Sequence, residues 1–307
     1  MELAIVADGL RFPEGPVVMP DGSVIVVEIA AGRITRVGPD GATETIAEPG
    51  GGPNGLAIGP DGKLYCCNNG GFAWFDHPAG LLIPHGQAQD YSGGRIERID
   101  LATGAVEVLY KDGDFGCSLR GPNDLVFDAH GGFWFTDHGK NRPRERDITG
   151  IFYAKADGSH LAEVIFPSEN PNGIGLSPDG TTLYAAETYT CRLTAFAVTA
   201  PGAVDATAGL GGPGLPLYRP AGYTFFDSLG VEANGNICVA TIGESGISVV
   251  SPAGALVEFV ATPDPFTTNI AFGGADMRDA WITLSATGRL AKMRWPRPGL
   301  RLMHQTV

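Results

Sequence analysis

The sequence lacks any apolar run of roughly 18 residues that could cross a bilayer, and no useful stretch repeats with the period of a helix. Basic residues are scarce, since 21 Lys and Arg are outnumbered by 34 Asp and Glu, for a formal net charge of −13. A surface of this sign repels phosphate groups, so nucleic acid and anionic membranes are poor partners. The periodicity throughout is two, which favours strands.

Cysteine is also sparse, and the five residues have an odd count without the spacing of a disulfide framework. Cys66 and Cys238 fall inside predicted strands, where a buried thiol is the usual interpretation. The chain begins with an acidic-led apolar segment instead of the basic and then apolar pattern of a signal peptide. These features predict a reduced, cytoplasmic protein.

Glycine and proline, by contrast, are abundant, with 45 and 23 residues, and they occur beside a hydrophobic content of 43%. That hydrophobic content argues against disorder, so the surplus of turn formers predicts many short strands. One unit recurs six times: a polar residue, a short apolar run, a reverse-turn signature seven positions after the polar residue, and an apolar strand. We call the polar residue the first position of each unit; the six are Glu14, Asn54, Asn123, Asn172, Asp227 and Asn269.

A strand, turn and strand repeated in this way predicts an all-β fold, a six-bladed β-propeller formed by residues 1–307 as one domain. Successive first positions lie 40, 69, 49, 55 and 42 residues apart. Because a four-stranded blade needs about 40–50 residues, the two longest gaps carry insertions, at 70–92 and 199–221. We expect 199–221 to be a solvated loop, and the charged segment 139–149 to be an exposed one.

The ring must close, and the N-terminal strand Leu3–Val6 is the natural partner for the last blade. Strands are also predicted at 289–295 and 301–305, so the sequence leaves open which terminus supplies the outermost strand of that blade.

The innermost strands of a propeller run along its central channel, so the six first positions should converge at one mouth of the channel. All six side chains carry oxygen and two are carboxylates, a set suited to Ca²⁺, which takes six to eight oxygen ligands. Mg²⁺ demands tighter geometry, and the absence of thiolates and imidazoles from the six weighs against Zn²⁺. Asn-Gly pairs such as Asn54-Gly55 also occur simply as turns, but six polar residues at one repeat phase favour a central metal.

Several motifs, taken in order, resemble the SMP-30/gluconolactonase family, which is similar to diisopropyl-fluorophosphatase and paraoxonase: 12–16, 121–124, 171–174, 226–230 and 268–274. The resemblance covers the whole chain and implies a six-bladed calcium propeller that hydrolyses lactones or similar esters. It implies metal ligands at Glu14, Asn123, Asn172 and Asp227, and a substrate-facing or supporting role for Asn54. Sugar-lactone members carry an arginine where this chain has Gly121, and the nearest arginine is Arg120.

The leading hypothesis is therefore a calcium-dependent lactonase in which Asp227 acts as general base or nucleophile. Substrate contacts are expected from Asn54, Asn123, Arg120, His138 and Glu187. The insertion 70–92, with Trp74, Phe75 and His85, should cover the mouth of the site and favour a substrate less polar than a sugar. A phosphotriesterase-like hydrolase and a non-catalytic, calcium-pinned binding propeller remain alternatives. Another divalent cation is possible, and the oligomeric state stays open.

Overall fold

The turn signatures close the hairpins between the first two strands of the blades, and local hydrogen bonds explain why. The computed structural model describes residues 2–207, 209 and 213–306. In it, Asp21 Oδ1 accepts a hydrogen bond from the backbone N–H of Ser23 at 2.9 Å, and Asp61 Oδ1 accepts one from Lys63 at 3.1 Å. Gly22 follows with a φ of +81°, a left-handed conformation that favours glycine.

Six antiparallel sheets result, confirming the predicted six-bladed β-propeller. The sequence predicts the strands that follow the turn signatures at 23–28, 63–68, 132–138, 182–187, 236–241 and 280–285. Each observed strand begins and ends within one residue of these bounds. From the channel outwards, the sheets are blade 1, Pro13–Val18, Val24–Glu28, Arg33–Val37 and Thr43–Ala47; blade 2, Pro53–Ile58, Leu64–Asn68, Arg95–Ile99 and Val106–Lys111; blade 3, Pro122–Phe127, Gly132–Asp137, Thr149–Lys155 and Leu161–Ser168; blade 4, Pro171–Leu176, Thr182–Glu187, Arg192–Ala200 and Leu215–Tyr218; blade 5, Phe225–Val231, Ile237–Ile242, Gly246–Val250 and Leu256–Ala261; and blade 6, Thr267–Gly273, Asp279–Leu284, Arg289–Arg294 and Leu3–Ala7.

The N-terminal strand closes the ring, as predicted, by pairing with Arg289–Arg294 in blade 6. It therefore supplies the outermost strand of that blade and leaves no edge for a strand at 301–305, where the prediction was wrong. The C-terminal segment crosses the far end of the channel instead. Its anchors are the backbone N–H of Leu300, donating to Val231 O at 2.8 Å, and Gln305 Nε2, donating to Phe272 O at 2.8 Å.

The insertions are more structured than the sequence suggests. Within 70–92, strands Phe72–His77 and Leu81–Gln87 form what we call the inserted hairpin. Segment 139–149 contains a short pairing of Asn141–Arg142 with Glu145–Arg146, and its Lys140 is buried, which corrects the expectation of a wholly exposed loop. In 199–221, Ala203–Val204 forms a short strand and Leu215–Tyr218 is the outer strand of blade 4, so a purely solvated loop was wrong there; residues 208 and 210–212 lie outside the described residues.

The core lies between neighbouring blades, where both faces of the inner strands are covered. Val24, Val26, Leu64 and Cys66 show no exposure, and Cys238 is also buried as predicted. All five cysteines are free thiols. No helix in the described part of the chain is long and apolar enough to span a membrane; short 3-10 turns occur at Ile29–Ala31 and Asp114–Gly116.

Candidate active site

Every inner strand is irregular at the same place. The pairing of the first and second strands shifts register in all six blades, beside or across the first position. A bulge leaves residues without a ladder partner and turns their side chains away from the normal alternation. The repeated shift is therefore the local cause that lets first-position side chains face the channel.

Glycines next to the first positions bring the inner strands together. A Cβ on Gly55 would lie 2.6 Å from Asn123 O, and one on Gly173 would lie 2.7 Å from Asp227 O. Both distances are too short for any larger residue at these positions. The Asn-Gly pairs thus lie inside strands, where they permit close approach of blades, and do not form turns. The inner strands contact one another in a closed cycle, from blade 1 round to blade 6 and back to blade 1.

A cavity of about 260 Å³ opens at one end of the channel. Five first positions line it: Glu14, Asn54, Asn123, Asn172 and Asp227. The sixth does not, since Asn269 lines a separate cavity of about 540 Å³ at the opposite end. The structure thus brings together the four residues expected as metal ligands and one residue expected to face substrate.

Two buried oxygen atoms in this group have no hydrogen-bond partner. Glu14 Oε2 accepts hydrogen bonds from the backbone N–H of Gly15 at 2.5 Å and from Asn269 Nδ2 at 2.7 Å, whereas Glu14 Oε1 accepts none. Asn123 Oδ1 is also without a donor. Buried polar atoms are normally satisfied, so unpaired acceptors that share one cavity indicate a place for a cation.

The electrostatics agree with that indication. Burial raises the pKa of Glu14 and raises that of Asp227 well above its ordinary range, and the nearby Glu14 charge raises the pKa of Asp227 further. Burial, followed by the Glu14 charge, also raises the pKa of Asp124 to about 8. Asp124 lines the cavity at the other end of the channel, and within the described residues no lysine or arginine lines the 260 Å³ cavity to balance Glu14 and Asp227. A bound dication would favour their ionised forms.

His138 also lines the cavity, and its Nδ1 has no hydrogen-bond partner. Burial, together with the charges of Lys140 and Arg146, lowers the pKa of His138 to about 4. The imidazole is therefore neutral at pH 7 and able both to donate and to accept a hydrogen bond.

Two expected substrate contacts lie elsewhere. Arg120 is absent from the cavity wall; its exposed guanidinium lies 3.6 Å from the carboxylate of Asp112. Glu187 is buried within blade 4, where it pairs with Arg192 at 2.6 Å and accepts a hydrogen bond from Ser168 at 2.9 Å. The next two residues in the chain, at 188 and 189, line the cavity in its place.

The cavity walls are largely apolar. Insertion 70–92, expected at the mouth of the site, lines the cavity through Phe72, Ile83 and Pro84. Sequence reasoning missed the other apolar wall residues: Phe12, Ile29, Phe225, Ile242 and Phe266. It also assigned no role to Asp124. A signal for Asp124 was present, because the residue after the first position is glycine in blades 1, 2 and 4 but a carboxylate in blade 3. In the inserted hairpin, Phe75 and His85 are exposed, while Trp74 packs on Phe12 with ring centroids 5.0 Å apart.

A sequence-family model described as the SMP-30/gluconolactonase/LRE-like region matches residues 12–286. The chain belongs to this family. It is 24% identical over 326 residues to a gluconolactonase of Zymomonas mobilis, covering 95% of this chain and 81% of that protein. It is 26% identical over 264 residues to lactonase drp35 of Staphylococcus saprophyticus, covering 85% of this chain and 72% of that protein.

A solved structure extends the comparison. Regucalcin from Agrobacterium tumefaciens, described as a calcium-binding protein, superposes with a TM-score of 0.73 at 21% identity over 98% of both chains. At that identity the likeness shows the shared fold. The two sequence relatives place lactone hydrolysis among the activities of the family.

Proposed function

We propose that this protein is a metal-dependent lactonase that opens the ester bond of a small lactone, with Ca²⁺ as the metal. The observation that carries the proposal is the pair of unpaired buried acceptors, Glu14 Oε1 and Asn123 Oδ1, on a cavity lined by further oxygen donors. The family membership and the lactonase relatives support the reaction, and the calcium-binding relative of the same fold supports the metal.

The donor set fits a hard cation. Glu14, Asn123, Asn172 and Asp227 would hold it through two carboxylates and two amide oxygens, with water completing the coordination. No three His, Cys, Asp or Glu side chains cluster as a metal site in the described residues, so the amide oxygens are essential to this assignment. When bound, the cation supplies an electrophilic contact to the lactone carbonyl oxygen and stabilises the negative charge that develops there.

Asp227 is assigned the proton transfer or the nucleophilic attack. As a base, its carboxylate takes a proton from water, the hydroxide bonds to the carbonyl carbon, and the ring C–O bond breaks. The leaving alkoxide then recovers the proton from Asp227. As a nucleophile, a carboxylate oxygen of Asp227 bonds to the carbonyl carbon, the ring C–O bond breaks, and the leaving alkoxide takes a proton from water. The hydroxide so formed attacks the Asp227 carboxyl carbon of the resulting anhydride, which releases the product acid and restores the Asp227 carboxylate. A single turnover in ¹⁸O-labelled water separates the two routes, because the second initially places unlabelled oxygen in the product.

Neighbouring side chains hold the reacting groups in place. Asn172 Nδ2 donates to Thr188 Oγ1 at 3.2 Å, and Ser228 Oγ donates to Asn172 Oδ1 at 3.4 Å, which fixes the Asn172 amide. His138 and Asn54 open on the same cavity and are assigned hydrogen bonds to the substrate oxygens.

The test is a hydrolysis screen over aldonolactones, alkyl lactones, aryl lactones and a phosphotriester, each with Ca²⁺ and with chelator. Calcium-dependent opening of at least one lactone class supports the proposal. Turnover of the phosphotriester without any lactone would assign the same cavity to another reaction. Calcium binding measured by calorimetry without turnover of any ester would favour a non-catalytic role.

A further inference from the structure

Lys140 is buried, with an exposed fraction of 1%, although it lies in a charged loop of blade 3. Its Nζ donates hydrogen bonds to Asn69 Oδ1 at 2.8 Å and to Gly71 O at 2.9 Å, both neutral oxygens. Burial lowers the pKa of Lys140 to about 7. A charged ammonium group is unfavourable in this buried position. The hydrogen bonds of Lys140 therefore do more than hold the side chain of an exposed loop.

Those contacts all lie at the base of the inserted hairpin. Residues 69 and 71 form the chain that leads into the hairpin, and the Lys140 Nζ lies 3.9 Å from the ring centroid of Phe72, its first residue. Asn69 is 1% exposed, and its Oδ1 also accepts a hydrogen bond from the backbone N–H of Gly71 at 2.9 Å. Lys140 thus joins a loop of blade 3 to the entry of a hairpin that belongs to blade 2.

The residues after Lys140 reach the second strand of the same hairpin. Arg142 Nη1 donates a hydrogen bond to Gln87 Oε1 at 3.1 Å. A Cβ on Gly86 would lie 3.0 Å from Asn141 O, so the two backbones are close. Asn141 Nδ2 in turn donates to the hydroxyl of Tyr189, a residue of the cavity wall, at 2.6 Å.

The hairpin held in this way forms one wall of the candidate active site. Phe72, Ile83 and Pro84 line the same cavity as the oxygen-bearing first positions. Apolar side chains favour a substrate group without hydroxyls, because burying methylene groups against them is favourable. A hydroxylated ring would leave its polar groups unpaired against this wall.

We infer that Lys140 is a positioning residue that fixes the inserted hairpin over the cavity, and that the wall so formed selects lactones with an apolar alkyl or aryl substituent. This inference rests on the proposed lactonase function and names its substrate class. Lys140 touches no reacting atom; it acts through Phe72 and the backbone around Gly71.

The test compares Lys140→Met with Lys111→Met, which makes the same chemical change at an exposed strand residue. Substrates are an alkyl-substituted δ-lactone, unsubstituted γ-butyrolactone and glucono-δ-lactone, with calcium-loaded protein. For Lys140→Met we expect KM for the alkyl lactone to rise about tenfold. This change corresponds to the loss of about two methylene contacts between the substrate and the apolar wall. The kcat for the alkyl lactone, and the KM for γ-butyrolactone, should change less than about twofold, because the unsubstituted ring carries no alkyl group to place against the wall.

Hydrogen exchange supplies a readout that needs no turnover. Amides of 72–87 should exchange at least about tenfold faster in Lys140→Met than in the parent, while the other blades are unchanged. If Lys140→Met does not fold, Gln87→Met is the second variant, because it removes the hydrogen bond from partly exposed Arg142. It should also speed the exchange of the hairpin amides and raise KM for the alkyl lactone.

The outcomes are distinguishable. An unchanged exchange rate and an unchanged KM for the alkyl lactone in Lys140→Met overturn the positioning role. A parent protein that prefers glucono-δ-lactone overturns the substrate class but leaves lactone hydrolysis standing. A parent protein without turnover of any lactone overturns the proposed function, while exchange still decides whether Lys140 fixes the hairpin.

Discussion

Asn269 in blade 6 donates a hydrogen bond from Nδ2 to Glu14 Oε2 in blade 1 at 2.7 Å, across a sequence separation of 255 residues. This contact joins the last inner strand to the first at the seam of the ring. It also determines which oxygen of Glu14 stays free, because Oε2 is saturated by two donors and Oε1 has none. Asn269 therefore orients a proposed metal ligand without facing the cavity.

Replacing Asn269 should weaken calcium binding. In Asn269→Leu the Glu14 carboxylate loses a donor and can rotate, so we expect calcium affinity to fall about 10- to 100-fold, the usual effect of removing such a supporting contact. Isothermal titration calorimetry measures the change. Asn236→Leu is the matched control, since buried Asn236 donates to Glu232 at 2.8 Å away from the cavity. Equal affinities in the two variants would contradict the orienting role.

Asp227→Asn should abolish hydrolysis while preserving the fold. Loss of a general base typically lowers kcat by about 10²- to 10⁴-fold, and loss of a nucleophile costs at least as much. The metal-free variant should unfold no more easily than the parent, because burial already disfavours the Asp227 charge. Kinetics at saturating calcium and circular dichroism measure both effects. Asp128→Asn alters a buried carboxyl at the other end of the channel and should retain kcat. An Asp227→Asn variant with parental kcat would remove Asp227 from the chemistry.

The repeat phase made the ring of first positions predictable, because one spacing recurs in six units and each unit closes a hairpin. The different role of Asn269 was not predictable. Asn269 has the same residue type and the same position in the repeat unit as Asn172. The strand register of blade 6 nevertheless places the Asn269 side chain at the opposite cavity. The burial of Lys140 was hidden for another reason: its neighbours are charged, and its partners are about 70 residues away in the chain.

In metal-free protein, the buried carboxyls of the channel should stabilise the fold less as the pH rises from about 4 to about 8. The pKa of Asp124 is raised to about 8 in the folded state, so its contribution to folding is fully present below its unfolded pKa and is lost as the pH rises through the folded value. The raised pKa values of Glu14 and Asp227 act in the same direction. Because Glu14 and Asp227 must ionise to hold a cation, calcium should raise the melting temperature more at pH 8 than at pH 5.

Differential scanning fluorimetry of chelated and calcium-loaded protein between pH 4.5 and pH 8.5 (roughly the span of those titrations) measures this difference. Asp124→Asn removes one of the ionising groups, so the chelated variant should show a shallower loss of stability with pH. A calcium effect that is independent of pH, or larger at pH 5, would show that the buried carboxyls are not linked to cation binding.

Gly55 tests whether the close approach of blades 2 and 3 sets the geometry of the cavity floor. A Cβ there would lie 2.6 Å from Asn123 O and from the Cα of Asp124, both backbone atoms that cannot rotate away. Gly55→Ala must therefore push blades 2 and 3 apart at the cavity floor, and we expect a loss of at least about 2 kcal/mol in the free energy of unfolding together with weaker calcium binding. Gly222→Ala is the matched control, because its added Cβ would meet a side-chain atom at an ordinary 3.7 Å without a left-handed φ. Chemical denaturation measures the stability of both variants, and calcium titration measures their affinity. If Gly55→Ala binds calcium as tightly as the parent does, the close approach of Asn54 and Asn123 does not set the geometry of the metal ligands.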